Sequence, residues 1–270
     1  MREVGRVNSS AANTSLFLRR VWLREPVLEG AVSTSGNTRE NRLVLDHKPP
    51  TRKSDLMAEP LQIDIISDVM CPWCIIGYRQ LEEALEATGT EHEIRWHPFE
   101  LNPQLPPEGQ SITENFQKKY ASPPEKTRET VQMYADIGAE LGFEFNLDDD
   151  SKMYNSFNLH QLLHWANQQG RKNDLEMALF KAHFTDGREM SDTAVLADVA
   201  AEIGLDRAEA LEVLEDQRFA PAVREEQKFW IDQGITGVPA VVFDRQHLVT
   251  GAQGVENFTS IVNQLTEESS

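Results

Sequence analysis

Leu61-Gln62-Ile63-Asp64-Ile65-Ile66-Ser67-Asp68-Val69-Met70-Cys71-Pro72-Trp73-Cys74 decides how this chain is read. Leu61 to Ser67 begins by alternating apolar and polar residues and then becomes wholly apolar, the pattern of a strand in a covered sheet. After Pro72 the pattern turns helical, with Ile75, Tyr78, Leu81 and Leu85 on roughly one face. Gly89 is placed to end that helix. Glu93-Ile94-Arg95-Trp96-His97-Pro98-Phe99 then reads as a second strand. The result is a strand–helix–strand unit with two cysteines at its first turn.

Those are the only cysteines in 270 residues. A pair so close together closes a tiny loop and removes little entropy from the unfolded chain, so it cannot staple a fold. Its position suits chemistry better. Cys71 would stand at a helix N-terminus, where free N–H groups and the helix dipole favour a thiolate, the nucleophilic form. Pro72 suits the first helical turn, where its missing N–H costs nothing. Cys74 lies one turn on and deeper, placed to attack the Cys71 sulfur and resolve a mixed disulfide. Trp73 offers an apolar surface to an incoming chain. The competing reading is structural zinc, which wants four ligands. A second CxxC is absent, and the candidate further ligands are histidines such as His160 and His164, at i, i+4. The preceding strand and the intervening Pro-Trp favour redox chemistry. Asp68 either raises the Cys71 pKa by repulsion or merely ends the strand.

Beyond a Pro- and Gly-rich connector at 101–109, helical periodicity takes over. It predicts helices over Glu125–Leu141 and Tyr154–Gln169, one around Leu175–Ala182, one capped by Asp192, one capped by Asp206, and one from Pro221 to Gly234. Strand character returns in Ala240-Val241-Val242-Phe243 and His247-Leu248-Val249, a hairpin, before a last helix through Val255, Phe258, Ile261, Val262 and Leu265. The order βαβ, helical block, ββα predicts an α/β core with an all-helical insertion that has no strands of its own. The expected boundaries put the core at 59–109 and 205–270 and the insertion at 110–204.

Gly237-Val238-Pro239-Ala240-Val241 is the second signal. Proline serves poorly inside a sheet, so a trans proline here would mark a strand start. With CPWC upstream, a cis Val238–Pro239 bond makes better sense. It would bring the Val238 backbone beside the cysteines and leave it open to pair with a substrate chain.

Taken together, Ser67 to Gly77, Trp96-His97-Pro98-Phe99-Glu100-Leu101-Asn102-Pro103, Leu162-Leu163-His164-Trp165-Ala166, Thr236-Gly237-Val238-Pro239 and Leu248-Val249-Thr250-Gly251-Ala252-Gln253 resemble the DsbA-like thioredoxin superfamily, in its FrnE-type branch. The similarity covers about 61–265. It implies a thioredoxin-like fold with an inserted helical domain, Cys71 as nucleophile, Cys74 as resolving thiol and a cis-Pro239. Kappa-class glutathione transferases and 2-hydroxychromene-2-carboxylate isomerases belong to the same superfamily and resemble the helical insert, but they typically carry a serine in place of Cys71. The expected activity is therefore thiol–disulfide exchange, as a protein-disulfide oxidoreductase or isomerase. The alternatives are a glutathione-dependent transferase or isomerase and a zinc-stabilised, chaperone-like binding protein. Pro72, Trp73 and Val238 are expected to contact substrate, and His160 is a further candidate on the helical lid.

The net charge of −18 argues against nucleic acid as partner, since phosphate binding needs a basic face. No apolar run is long enough to span a bilayer. The expected partners are protein thiols or disulfides, or glutathione as co-substrate, with no resident cofactor; oligomeric state is not legible. Residues 1–57 are net +4 and the remainder −22, a shift that marks a boundary. Residues 1–58 are expected to be a disordered leader or an over-called start, with Met57 the functional one. No signal-peptide core is present, so the cytoplasm is the expected compartment, with an organelle transit leader as the alternative.

Overall fold

A computed structural model of the chain describes Arg19–Arg20 and residues 59–268. Apart from those two arginines, which form the short strand β1, the expected leader lies outside the described residues. Strand β2, Leu61–Ser67, runs into helix α1, Pro72–Thr88, and strand β3, His92–Pro98, lies parallel to β2. The β2/β3 register sets Ile65 beside Trp96 and Ile66 beside His97. Helix α1 stops at Gly89, whose φ of 63° is left-handed and lets its N–H close back on the Leu85 and Glu86 carbonyls.

The chain then leaves the sheet. A two-residue strand β4, Gln110–Ser111, leads into helices α2, Ile112–Tyr120, and α3, Pro124–Glu140. Strand β5, Lys152–Met153, pairs antiparallel with β4. The helical block expected to be strandless therefore carries a small ladder of its own, too short to leave an alternating pattern in the sequence. Helices α4, Phe157–Asn167, α5, Lys172–Phe184, α6, Thr193–Glu202, and α7, Arg207–Asp216, follow. Asp192 and Asp206 cap α6 and α7 by accepting backbone N–H groups. The boundary expected at 204–205 falls between α6 and α7, which pack on each other. The return to the sheet comes with α8, Ala220–Asp232, which lies against β3.

Strands β6, Ala240–Phe243, and β7, His247–Thr250, form the predicted hairpin, and α9, Val255–Glu268, ends the described chain. The sheet order is β1-β7-β6-β2-β3, with β6 antiparallel to β2. The period of two along β2 and β6 divides the core. Ile63, Ile65, Val241 and Phe243 point to the face covered by α1 and α9. Ile66, Ala240 and Val242 point to the other face, against Trp230 of α8 and Ile235. Among the described residues no helix is long and apolar enough to cross a membrane.

Candidate active site

The C-terminal end of β2 delivers the chain to Cys71 through a tight turn. Asp68 closes that turn twice: its carbonyl accepts the Cys71 N–H at 2.9 Å and its Oδ1 accepts the Met70 N–H at 3.0 Å. Cys71 is the N-cap of α1, in extended backbone, with Pro72 opening the helix. Its side chain caps nothing. The Sγ lies 3.8 Å from the Val238 carbonyl, within reach of an S–H donor. The Val238–Pro239 bond is cis. Thr236 and Gly237, leading into it, are exposed, whereas Pro239 is buried. The two sequence signals, 167 positions apart, thus meet at one point.

Cys71 is 4% exposed and Cys74, one turn inward, 0%. Both are free thiols. Burial pushes the Cys74 thiol well up, and the Cys71 sulfur beside it pushes further. The Ser67 hydroxyl and the Asp68 backbone oppose this by hydrogen-bonding Cys74. Cys74 is therefore held as a protonated thiol at neutral pH. Trp73 is half-buried, its ring meeting Tyr134 of α3 edge-on at 5.4 Å. Tyr134 is buried, and burial reinforced by Cys71 pushes its hydroxyl up to about 12.

Behind the cysteines lies a buried polar layer, in which the sequence singled out Asp68 but not Glu176. Asp68 is 1% exposed, and its Oδ2 accepts the Leu101 N–H at 2.7 Å. Burial raises it to about 6 despite its donors. Glu176, on α5, is likewise 1% exposed, and burial raises it to about 7. It accepts the Ser67 hydroxyl at 3.3 Å. One signal for Glu176 was present: it follows Leu175 and precedes Leu179 and Phe180 on the inward face of α5, where a carboxylate is out of pattern.

His160 lies on α4, against the end of β3. It is buried, and its Nε2 is 2.9 Å from the Phe99 carbonyl, so the ring ties α4 to the end of β3. Burial lowers it to about 4 and keeps it neutral. The hydrogen bond to Phe99 gives the ring a structural role between α4 and the end of β3. His164 sits by Glu226 instead, with Nδ1 3.9 Å from Oε2. Among the described residues no group of three or more His, Cys, Asp or Glu is arranged to hold a metal ion.

A central sheet in this order, a CPWC at the start of the helix that follows β2 and a cis-proline loop against the first cysteine define a thioredoxin-like fold. The DsbA-like thioredoxin domain matches residues 62–263, and the chain belongs to that family of thiol oxidoreductases and related enzymes. A probable DsbA oxidoreductase from Streptomyces coelicolor is 32% identical, with a TM-score of 0.73, over 77% of this chain and 91% of that one. The uncharacterized protein YwbO of Bacillus subtilis (strain 168) is 26% identical over 204 residues, 75% of this chain and 96% of that protein. A 2-hydroxychromene-2-carboxylate isomerase shares the fold at 14% identity, with a TM-score of 0.60, over 77% of this chain and 97% of that one.

Proposed function

We propose that this protein is a cytoplasmic thiol–disulfide oxidoreductase that exchanges disulfides with protein substrates or glutathione through Cys71 and Cys74, using no resident cofactor. The observation that carries this reading is the asymmetry of the pair. Cys71 sits at the N-terminus of α1 beside the Val238 carbonyl, while Cys74 is fully buried behind it and held protonated. In this reading the outer sulfur meets the substrate and the inner one releases it. In the oxidising direction of the protein, Cys71 thiolate attacks a substrate disulfide and expels one substrate thiolate. Cys74 then loses its proton and attacks the Cys71 sulfur, the second substrate thiolate leaves, and the Cys71–Cys74 bond forms. The reverse sequence oxidises a substrate dithiol. Exposed Thr236 and Gly237, with half-buried Val238 and Trp73, offer backbone and apolar surface to an extended substrate at the mouth.

The test is equilibration of the purified protein across a series of glutathione redox buffers, with free thiols counted by alkylation and mass spectrometry. Loss of both thiols together in one two-electron transition is expected. Cys71→Ser is expected to abolish exchange, and Cys74→Ser to accumulate a covalent adduct at Cys71. Full turnover by Cys71→Ser overturns the reading.

A further inference from the structure

Resolution of a mixed disulfide requires Cys74 to ionise inside the protein, where burial opposes a thiolate. Its proton has to pass to a neighbouring group at that moment. Following from the function proposed above, we propose that Glu176 of α5, acting through the Ser67 hydroxyl, takes the proton Cys74 loses and returns it in the reverse step.

The contacts form a chain. Ser67 closes β2 and is 1% exposed; its hydroxyl donates to Glu176 at 3.3 Å and lies near enough to Cys74 to favour its thiolate. A hydroxyl donates one hydrogen and accepts on its lone pairs, so it can stand between an acid and a base in either polarity. Before transfer the Cys74 S–H donates to Ser67 Oγ, and Ser67 O–H donates to the Glu176 carboxylate. After transfer the Glu176 O–H donates to Ser67 Oγ, and Ser67 O–H donates to the Cys74 thiolate. One proton has moved from sulfur to carboxylate. The thiolate then attacks Cys71, the S–S bond to the substrate breaks, and the substrate leaves as thiolate.

Asp68 is the rival acceptor, and its bonding argues against it. Its two oxygens already accept the Met70 and Leu101 N–H groups, which hold the turn before Cys71. Among the described residues Glu176 accepts from no backbone N–H. The charged groups that bear on it are Lys172, one turn earlier on α5, and Asp68 from the end of β2. Among the described residues Lys172 forms no ion pair with it, and its Nζ donates to the Trp96 carbonyl at 2.6 Å. Lys172 and the Ser67 hydroxyl lower Glu176, while burial and Asp68 raise it, which leaves a carboxyl at about 7 that exchanges a proton at working pH. The relay places a helix of the inserted block in the redox step.

The experiment is rapid acid-quench mass spectrometry of the reduced protein mixed with glutathione disulfide, from pH 5.5 to 9.5. It follows formation of the Cys71–glutathione adduct and its resolution separately. In the wild type, resolution is expected to quicken through about pH 7 and then level off. Glu176→Gln, which can still accept from Ser67, is expected to slow resolution at pH 7 by about a hundredfold. That rate should keep rising with pH toward the wild-type value, while adduct formation is unchanged. Ser67→Ala is expected to give the same profile and serves if Glu176→Gln misfolds. Resolution profiles that overlay the wild type, or a slowing equal at every pH, overturn the relay while the oxidoreductase reading stands. A wild type that forms no adduct overturns both.

Discussion

Gly77 of α1 and Pro239 of the cis-proline loop meet closely: a Cβ on Gly77 would stand 3.3 Å from the proline Cγ and 3.5 Å from the Ala252 Cα. This contact presses the second turn of α1 against the segment that carries Val238 to Cys71. Alanine there gains about 1 kcal/mol of helix propensity, which offsets a displacement of a few tenths of an ångström. Valine adds two further methyl groups beside this tight contact. Gly77→Val is therefore expected to cost about 1–3 kcal/mol in urea unfolding and to slow disulfide exchange by moving Pro239 away from Cys71. Wild-type stability and rate in this variant would show the contact to be soft.

Gly138 does a similar job under α3. A Cβ there would lie 2.5 Å from the Phe143 carbonyl oxygen and 2.5 Å from the Phe145 ring. The Phe143 carbonyl is backbone and cannot rotate away, and the Phe143 N–H donates to the Gly138 carbonyl, locking the two together. Gly138→Ala is expected to lose about 3 kcal/mol or more, well beyond its helix-propensity gain. It should also loosen Tyr134, one turn earlier, and hence the packing of Trp73. Thermal unfolding checks the first effect and Trp73 fluorescence the second.

The raised carboxyl of Glu176 has a stability signature. Its unfolded value is 4.5 and its folded value about 7, so the native state binds this proton more tightly. That contribution is fully present below pH 4.5 and is lost as pH rises through 7. It is on the order of 3 kcal/mol. Glu176→Gln removes it. The stability of the variant relative to wild type is therefore expected to rise by about that amount between pH 4.5 and 8. Buried His160 and His183 have depressed values and lose stability in the opposite direction, as pH falls below 6.5, but they are common to both proteins and cancel. Urea unfolding of the two reduced proteins across this range tests it; a difference that does not vary with pH refutes it.

On the far face of the sheet His97 bridges two carboxylates, with Nε2 2.8 Å from Asp64 Oδ1 and Nδ1 2.7 Å from Glu226 Oε1. Its ring packs on Trp230 at 4.6 Å. His97→Ala would strand Asp64, which is buried, without its close partner. A loss of about 3–5 kcal/mol is expected, with both cysteines still able to exchange disulfides once the protein is folded. Chemical unfolding and an exchange assay on the same sample separate the two effects.

Much of this was legible from neighbouring residues. The apolar run from Ile63, the helical spacing after Pro72, the left-handed stop at Gly89, the Asp192 and Asp206 caps and the hairpin at Asp244–Gln246 are local signals, and the structure has each of them. The two-residue β4–β5 ladder left none, because two residues are too few for a period. The Phe99 partner of His160 was not legible, because an amphipathic helix reports that a side chain points inward, not what it meets there.

The sequence by itself determined the order of elements, the dithiol at a helix start and the proline before the last hairpin, because spacing, caps and turns act between residues a few positions apart. Tertiary structure alone decided that Val238 lies against Cys71, that Ser67 reaches Glu176 across 109 positions, and that Cys74 is sealed off while Cys71 keeps a narrow opening. Those relations depend on sheet register and helix packing, and burial, which sets the proton affinities of Cys74, Asp68 and Glu176, exists only once distant segments have closed over them.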